Sequence, residues 1–232
     1  MNISVLQKGE GRDLVFFHGY LASKESFTPQ IEYFSKFYRV TAFDFPGFGA
    51  SSPLSAAWSV GDYADFTKEY LFSLGIQNPF VIAHSFGGRV AVKCLSREPL
   101  FERAVLCGCA GIIPKRTFSY HMRVKAYRAV KKIAPRFAER KFGSEEYRSL
   151  YPIQRESYKK IVNEDLREDS KKISRPVLFI NGENDGETPV SSAEIYTSCV
   201  KDSRLIVLDG CGHFAHLDDP LAFNLAAEEF FQ

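Results

Sequence analysis

The chain has 232 residues, a length that suits one large domain or one domain with an insertion. Its formal net charge of +2 gives no overall argument for a nucleic-acid or membrane-surface partner, and we expect no nucleic acid to bind. No apolar run approaches the ~20 residues that cross a bilayer, and the first residues are neither basic nor continuously apolar, so the sequence predicts no membrane span and no signal peptide.

The five cysteines are odd in number and lie in apolar or element-like segments. Free buried thiols in a reducing compartment are the favoured interpretation, so we expect a cytoplasmic protein. Cys107 and Cys109 stand two apart on a predicted strand and would share one face. A metal site there would need further ligands, and the sequence shows none nearby.

The first part of the chain alternates apolar runs with helical patterns. The predicted strands cover residues 3–6, 14–17 and 38–43, and the predicted helices cover 26–37 and 59–74. The first helix would bury an apolar face that ends at Phe37. The second would begin after a capping Ser59 and end at Gly75.

The residues around Ser85 have the pattern of a sharp turn between a strand and a helix. Residues 80–83 predict a buried strand, and the apolar residues after Gly88 follow the spacing of one helix face. Such a turn is crowded, so the positions two before and two after the serine must be small; they are Ala83 and Gly87. The turn would raise the serine hydroxyl above the sheet, facing a helix N-terminus.

This stretch resembles the nucleophile elbow of the α/β-hydrolase superfamily, although Ala83 stands where the usual form has glycine. Four further motifs resemble the same superfamily in chain order. They are an HGY loop at 18–20 with a DFPGFGAS turn at 44–51, a GENDGETP loop at 182–189, and a GHF loop at 212–214. The resemblance covers the chain apart from one long insertion.

The resemblance implies a catalytic triad of Ser85, Asp185 and His213, in the superfamily's chain order. A serine hydroxyl is a poor nucleophile at neutral pH, so His213 would take its proton and Asp185 would hold the imidazole. The backbone N–H groups of Tyr20 and Phe86 would bind the oxyanion.

Several other polar residues near these motifs have competing interpretations. Glu183 and Glu187 are rival triad acids, ranked lower because the motif aspartate lies between them. His18 is expected to be a structural loop residue, because its loop acts through backbone groups. Asp44 is expected to bond its own loop, and His216 to be a structural loop residue.

The second half predicts strands over 104–107, 176–180 and 205–208, a helix over 190–200, and a final helix to residue 232. Strands that alternate with helices predict an α/β fold, a doubly wound and mostly parallel sheet. Residues 1–109 and 176–232 would form the core. Residues 110–175 exceed what a parallel crossover requires, and we expect a helical cap inserted before the last two strands.

Two apolar helical faces are predicted in the cap. They comprise Met122, Ala126, Tyr127, Val130 and Ile133, ending at Pro135, and then Tyr158, Ile161, Val162 and Leu166. The cap carries 18 Lys and Arg against 8 Asp and Glu. A solvated outer face is the favoured explanation, while attraction of an anionic substrate and weak docking on an anionic membrane remain open.

The implied activity is that of a serine hydrolase, which cleaves a small carboxylic ester or related acyl compound through an acyl-enzyme. No metal and no organic cofactor are implied, and the expected partner is a small acyl substrate. A serine at the elbow argues against dehalogenase or epoxide-hydrolase chemistry. Two alternatives stay open: a C–C bond hydrolase or menaquinone-pathway-type lyase with the same triad, and a slow-turnover ligand receptor of the same fold.

Overall fold

The computed structural model describes residues 1–113, 122 and 150–232, and these contain one seven-stranded sheet. The strands are β1 (Val5–Lys8), β2 (Arg12–Phe17), β3 (Tyr38–Phe43), β4 (Phe80–His84), β5 (Ala104–Cys107), β6 (Val177–Gly182) and β7 (Ser203–Leu208). Their order is β1-β3-β2-β4-β5-β6-β7. β1 pairs antiparallel with β3, and the remaining pairings in this sheet are parallel.

Helices connect the strands and cover the sheet. A short 3-10 helix (Lys24–Phe27) leads into α1 (Thr28–Phe34), and the other described helices are α2 (Val60–Ser73), α3 (Phe86–Arg97), α4 (Pro152–Val162), α5 (Arg167–Ser170), α6 (Val190–Cys199), α7 (Ala215–Asp218) and α8 (Pro220–Phe231). Within the described part of the chain, no helix is both long and apolar enough to cross a membrane.

Both faces of the sheet are buried, as a parallel sheet covered by helices requires. Val15 and Phe17 of β2 point into one apolar cluster, with α2, α3 and α6. Leu14 and Phe16 of the same strand point into the other, with α1 and α8. This alternation confirms the predicted doubly wound, mostly parallel α/β fold.

Two predicted elements near the start of the chain differ from the structure. The first strand is Val5–Lys8 rather than 3–6, because its backbone pairs with β3 from Phe43 back to Val40. The helix predicted over 26–37 is split, and its α-helical part ends at Phe34. Phe37 lies beyond that end and is 53% exposed, so its assignment to the buried face was wrong.

The prediction that Cys107 and Cys109 share a face was also wrong. β5 ends at Cys107, and Gly108 then adopts a positive φ of 50° that L side chains rarely tolerate. Cys107 therefore packs in the cluster with α1 and α8, whereas Cys109 packs in the opposite cluster. All five cysteines are free thiols.

The cap prediction is only partly covered by the described residues. The apolar face assigned to residues 122–133 lies outside them except for Met122, which is helical and half exposed. The second predicted face is on α4, where Ile161 is buried and Leu166 follows the helix, also buried. α4 is bonded to the core: the Gln154 side chain donates to the Gly47 carbonyl at 2.9 Å.

Candidate active site

The turn after β4 has the strained geometry of an elbow. Ser85 has φ 50° and ψ −107°, and α3 begins at the next residue. Its N–H donates to the Cys107 carbonyl at 3.0 Å, which fixes the turn against β5. A Cβ on Gly87 would overlap the carbonyl oxygen of Phe17, so a larger residue there would displace β2. This explains the small residue two positions after the serine.

The loop after β2 is shaped by His18, which is fully buried. Its Nδ1–H donates to the Gly19 carbonyl at 2.7 Å, and its Nε2 accepts the Phe45 N–H at 2.9 Å. These partners require a neutral imidazole, and burial lowers the His18 pKa to about 4. The geometry agrees with a structural role for this histidine, and it holds the loop that carries Tyr20.

Asp44 also has the bonds of a structural residue. It is fully buried, and its carboxylate accepts the Lys24 N–H at 2.7 Å and the Ala50 N–H at 2.9 Å. It therefore ties the turn after β3 to the segment that follows β2.

The acid loop after β6 brings Asp185 against the histidine loop after β7. The Asp185 carboxylate is buried, and its Oδ2 accepts a hydrogen bond from His213 Nδ1 at 2.8 Å. The approach depends on Gly182, because a Cβ there would overlap the Gly212 carbonyl oxygen. Asp185 and His213, which were predicted separately from two motifs, are thus in direct contact.

Thr188 completes the shell of hydrogen bonds around Asp185. Its N–H donates to Asp185 Oδ1 at 2.8 Å, and its hydroxyl donates to Oδ2 at 2.6 Å. Burial by itself would raise the pKa of Asp185, but the hydrogen bonds from His213 and Thr188 lower that pKa to about 2. The carboxylate is therefore ionised at any pH at which the protein is assayed.

The two rival acids occupy other positions. Glu183 accepts the Gly210 N–H at 3.0 Å, at the base of the histidine loop. Glu187 lies 3.4 Å from His213, but on the Nε2 side, and its side chain is 68% exposed. Asp185 is therefore the carboxylate that contacts Nδ1, the nitrogen that an orienting acid holds.

Two further histidines pack around His213. His84, the last residue of β4, is buried, and its Nε2 bonds the His213 carbonyl at 3.0 Å. The His216 ring lies 4.7 Å from the His84 ring, and its Nδ1 is 3.7 Å from the Cys107 sulfur. Burial lowers the pKa of His216 to about 4 and places that of His84 well below its ordinary value. Both rings are neutral supports of the histidine loop.

These buried histidines predict a loss of stability in mild acid. His18 and His216 have folded-state pKa values of about 4, below the ~6.5 of an unfolded histidine, so the unfolded chain binds more protons between those values. Their contribution to the free energy of unfolding is complete above pH ~6.5. It decreases by up to about 1.4 kcal/mol per pH unit for each histidine as the pH falls toward 4. Urea unfolding at pH 7.5 and 5.0 should show it. A constant free energy of unfolding across that range would contradict the prediction.

A cavity of about 350 Å³ joins these elements at the carboxyl edge of the sheet. Ser85 and His213 both line it, with Gly19, Tyr20 and Phe86 from the two adjacent loops. Tyr158 and Ile161 of α4 form part of the opposite wall. All five residues predicted for the site are thus at or beside one cavity, Asp185 through its contact with His213.

Comparison with known proteins identifies the family. The sequence pattern of the alpha/beta hydrolase family matches residues 14–227, nearly the whole chain. The chain belongs to this family. The match begins within β2 and runs through the His213 loop into α8, so it covers the parallel strands of the sheet and leaves out the antiparallel edge strand β1.

Individual relatives of this hydrolase differ in the reactions they are named for. It is 38% identical to (E)-2-((N-methylformamido)methylene)succinate hydrolase of Acinetobacter baylyi, over 44% of this chain and 40% of that protein. It is 25% identical to pimeloyl-[acyl-carrier protein] methyl ester esterase of Nitrosomonas europaea, over 96% of each. A meta-cleavage product hydrolase from Pseudomonas fluorescens superimposes with a TM-score of 0.77 at 25% identity, over 99% of this chain and 93% of that one.

Sequence reasoning missed three residues of the candidate site. Thr188 had a usable signal, since a hydroxyl three residues after an aspartate commonly closes a turn on that carboxylate. Arg89 had the four-residue spacing from Ser85, which places both on one side of a helix. His84 had no usable signal, because the end of a strand does not indicate which loop its side chain will meet.

Proposed function

We propose that this hydrolase cleaves a small carboxylic ester or related acyl compound through an acyl-enzyme formed on Ser85. The observation that carries the proposal is the 2.8 Å hydrogen bond between Asp185 and His213 at the wall of the cavity that Ser85 also lines. An ionised, buried carboxylate on Nδ1 leaves Nε2 as the basic nitrogen, which is the arrangement that a serine nucleophile requires.

In this mechanism, Ser85 Oγ attacks the carbonyl carbon while His213 Nε2 takes the hydroxyl proton. The oxyanion is bound by the backbone N–H groups of Tyr20 and Phe86, the latter being the first residue of α3. His213 then protonates the departing alcohol, and a water molecule activated by the same nitrogen releases the acid. Asp185 holds the Nδ1–H and stabilises the imidazolium in both halves of the reaction.

A direct test combines an activated ester with a fluorophosphonate probe. The proposal expects multiple turnover of 4-nitrophenyl esters and a single phosphonyl adduct on Ser85, located by peptide mass spectrometry. A ligand receptor of the same fold would take up the probe but release at most about one equivalent of nitrophenol. If the protein shows no labelling and no turnover, the proposal is contradicted.

The pH dependence provides a second test. Below the pKa of His213, kcat/KM should fall about tenfold per pH unit, because only the neutral imidazole accepts the serine proton. Asp185, with a pKa of about 2, stays ionised and favours the charged imidazole, so a single acid limb is expected. A profile that stays flat from neutral pH down to 5, with circular dichroism showing a folded protein, would exclude a histidine base.

A C–C bond hydrolase is a second candidate, supported by the full-length similarity to the meta-cleavage product hydrolase. Both reactions use a serine, a histidine and an oxyanion site, so the geometry of the triad does not separate them. A panel of esters, thioesters and dienoate-type ketones does. The ester proposal expects kcat/KM to be highest for an oxygen ester, and preference for the ketone would favour the alternative.

A further inference from the structure

One buried cation lines the proposed acyl site. Arg89 lies one helical turn after Ser85 on α3, and its backbone N–H donates to the Ser85 carbonyl at 3.2 Å. Residues at this spacing have Cβ atoms about 5–6 Å apart on one helix face, so the arginine and the serine start from the same side of α3. Arg89 is only 9% exposed, and it lines the same cavity as Ser85.

The hydrogen bonds of Arg89 are made to neutral groups and not to a carboxylate. Nη1 donates to the carbonyls of Ile161 at 2.9 Å and Glu164 at 3.0 Å, both neutral acceptors at the end of α4. The carboxylate of Glu164 instead pairs with Lys93 at 2.7 Å. Among the described residues, no carboxylate forms a salt bridge with Arg89, although the Glu164 carboxylate still acts on it electrostatically, and its guanidinium bonds the protein through Nη1.

A buried guanidinium in this state is costly unless something neutralises it. The free-energy cost of taking a charge out of water is offset only by good hydrogen bonds and an opposite charge. Burial here acts to lower the Arg89 pKa. Among the described residues that line the cavity, the one acid is Glu187, which is 68% exposed and lies beside His213. The neighbouring walls are aromatic or aliphatic, including Phe86, Tyr158 and Val162.

We propose that Arg89 binds a carboxylate carried by the substrate's acyl group, a few bonds from the carbonyl that Ser85 attacks. The inference rests on the proposed function and narrows it, because it makes the substrate a monoester of a dicarboxylic acid. A guanidinium presents donors that match both oxygens of a carboxylate, and Nη1 is already held in place by the end of α4. The aromatic walls would enclose the short carbon chain between the two carboxyl groups.

The test uses two esters that differ only in this charge: 4-nitrophenyl hydrogen glutarate and its methyl ester, methyl 4-nitrophenyl glutarate. The wild-type enzyme is expected to prefer the free acid by at least about 10-fold in kcat/KM, the value of one hydrogen-bonded charge pair. In Arg89→Met, which keeps an unbranched apolar stem but removes the guanidinium and its charge, this ratio should fall to about 1. Arg89→Lys should retain part of the preference, since it keeps the charge but not the planar fork.

Arg97→Met is the matched control. Arg97 lies on the same helix, but pairs with Asp65 at the surface with 44% of its side chain exposed. This variant removes the same charge from the protein and should keep the wild-type ratio. If it loses the preference too, the effect is long-range attraction, and the proposal fails. The preference should also persist at high salt, where exposed charges are screened.

A binding measurement separates this proposal from the proposed function. Glutarate should raise the melting temperature of Ser85→Ala, and Arg89→Met in that background should abolish the rise. If wild type hydrolyses neither ester, the proposed function fails, whereas turnover of both esters at equal rates overturns only the role of Arg89. Parallel losses on both esters with a lowered melting temperature in Arg89→Met would show that Arg89 only anchors α4.

Discussion

Replacing Ser85 with alanine is expected to lower kcat by about 10⁶-fold, the scale of loss when a serine enzyme loses its nucleophile. Without Oγ no acyl-enzyme forms, and the remaining groups can only assist attack by water. The fold should persist, because the Ser85 side chain makes no capping hydrogen bond to α3. The measurement is single-turnover and steady-state hydrolysis of 4-nitrophenyl esters, together with the melting temperature of each protein.

Ser198→Ala is the control for this substitution. Ser198 is an exposed serine on α6, and its hydroxyl bonds the Ile195 carbonyl away from the cavity. It should keep wild-type turnover and should not affect fluorophosphonate labelling, while Ser85→Ala should lose both. Near wild-type turnover in a purified Ser85→Ala protein would show that another group attacks the substrate.

The positions of the predicted site residues follow from topology more than from side-chain detail. Ser85 and Asp185 each come shortly after a buried strand, and parallel strands deliver such residues to one sheet edge. Periodicity and turn residues were enough to locate those strands. The resemblance to the superfamily's acid loop ranked Asp185 above Glu187, and the structure puts Asp185 on Nδ1 and Glu187 beside Nε2.

What the sequence could not supply depends on contacts between distant segments. In the sequence, Arg89 resembles any other charged residue of a helix. In the structure, its Nη1 donates to two carbonyls near the end of α4 that are more than 70 residues away along the chain. Cys107 and Cys109 follow a two-residue alternation, but the positive φ of Gly108 turns the chain between them. Phe37 fits an apolar helix face by spacing, yet α1 ends at Phe34 as the chain turns into β3.

Replacing Asp185 with asparagine is expected to lower kcat by about 10⁴-fold through the tautomer of His213. Asp185 Oδ1 accepts the N–H groups of Glu187 and Thr188, so the single oxygen of an asparagine side chain would take that position. Its amide nitrogen would then face His213 Nδ1, which must become an acceptor. The imidazole proton moves to Nε2, and the nitrogen that should receive the serine proton is already protonated.

The matched variant is Glu187→Gln, which removes the other carboxylate near the imidazole. Glu187 lies 3.4 Å from Nε2 with 68% of its side chain exposed, so its charge is screened and its loss should cost far less than 10⁴-fold. Single-turnover acylation rates for the two variants at neutral pH decide between the acids, with melting temperatures to exclude unfolding. An Asp185→Asn protein with wild-type kcat, beside a Glu187→Gln protein that is inactive, would reassign the triad acid to Glu187. We expect the large loss in Asp185→Asn and the small loss in Glu187→Gln, because Asp185 is the carboxylate that is buried, ionised and bonded to Nδ1.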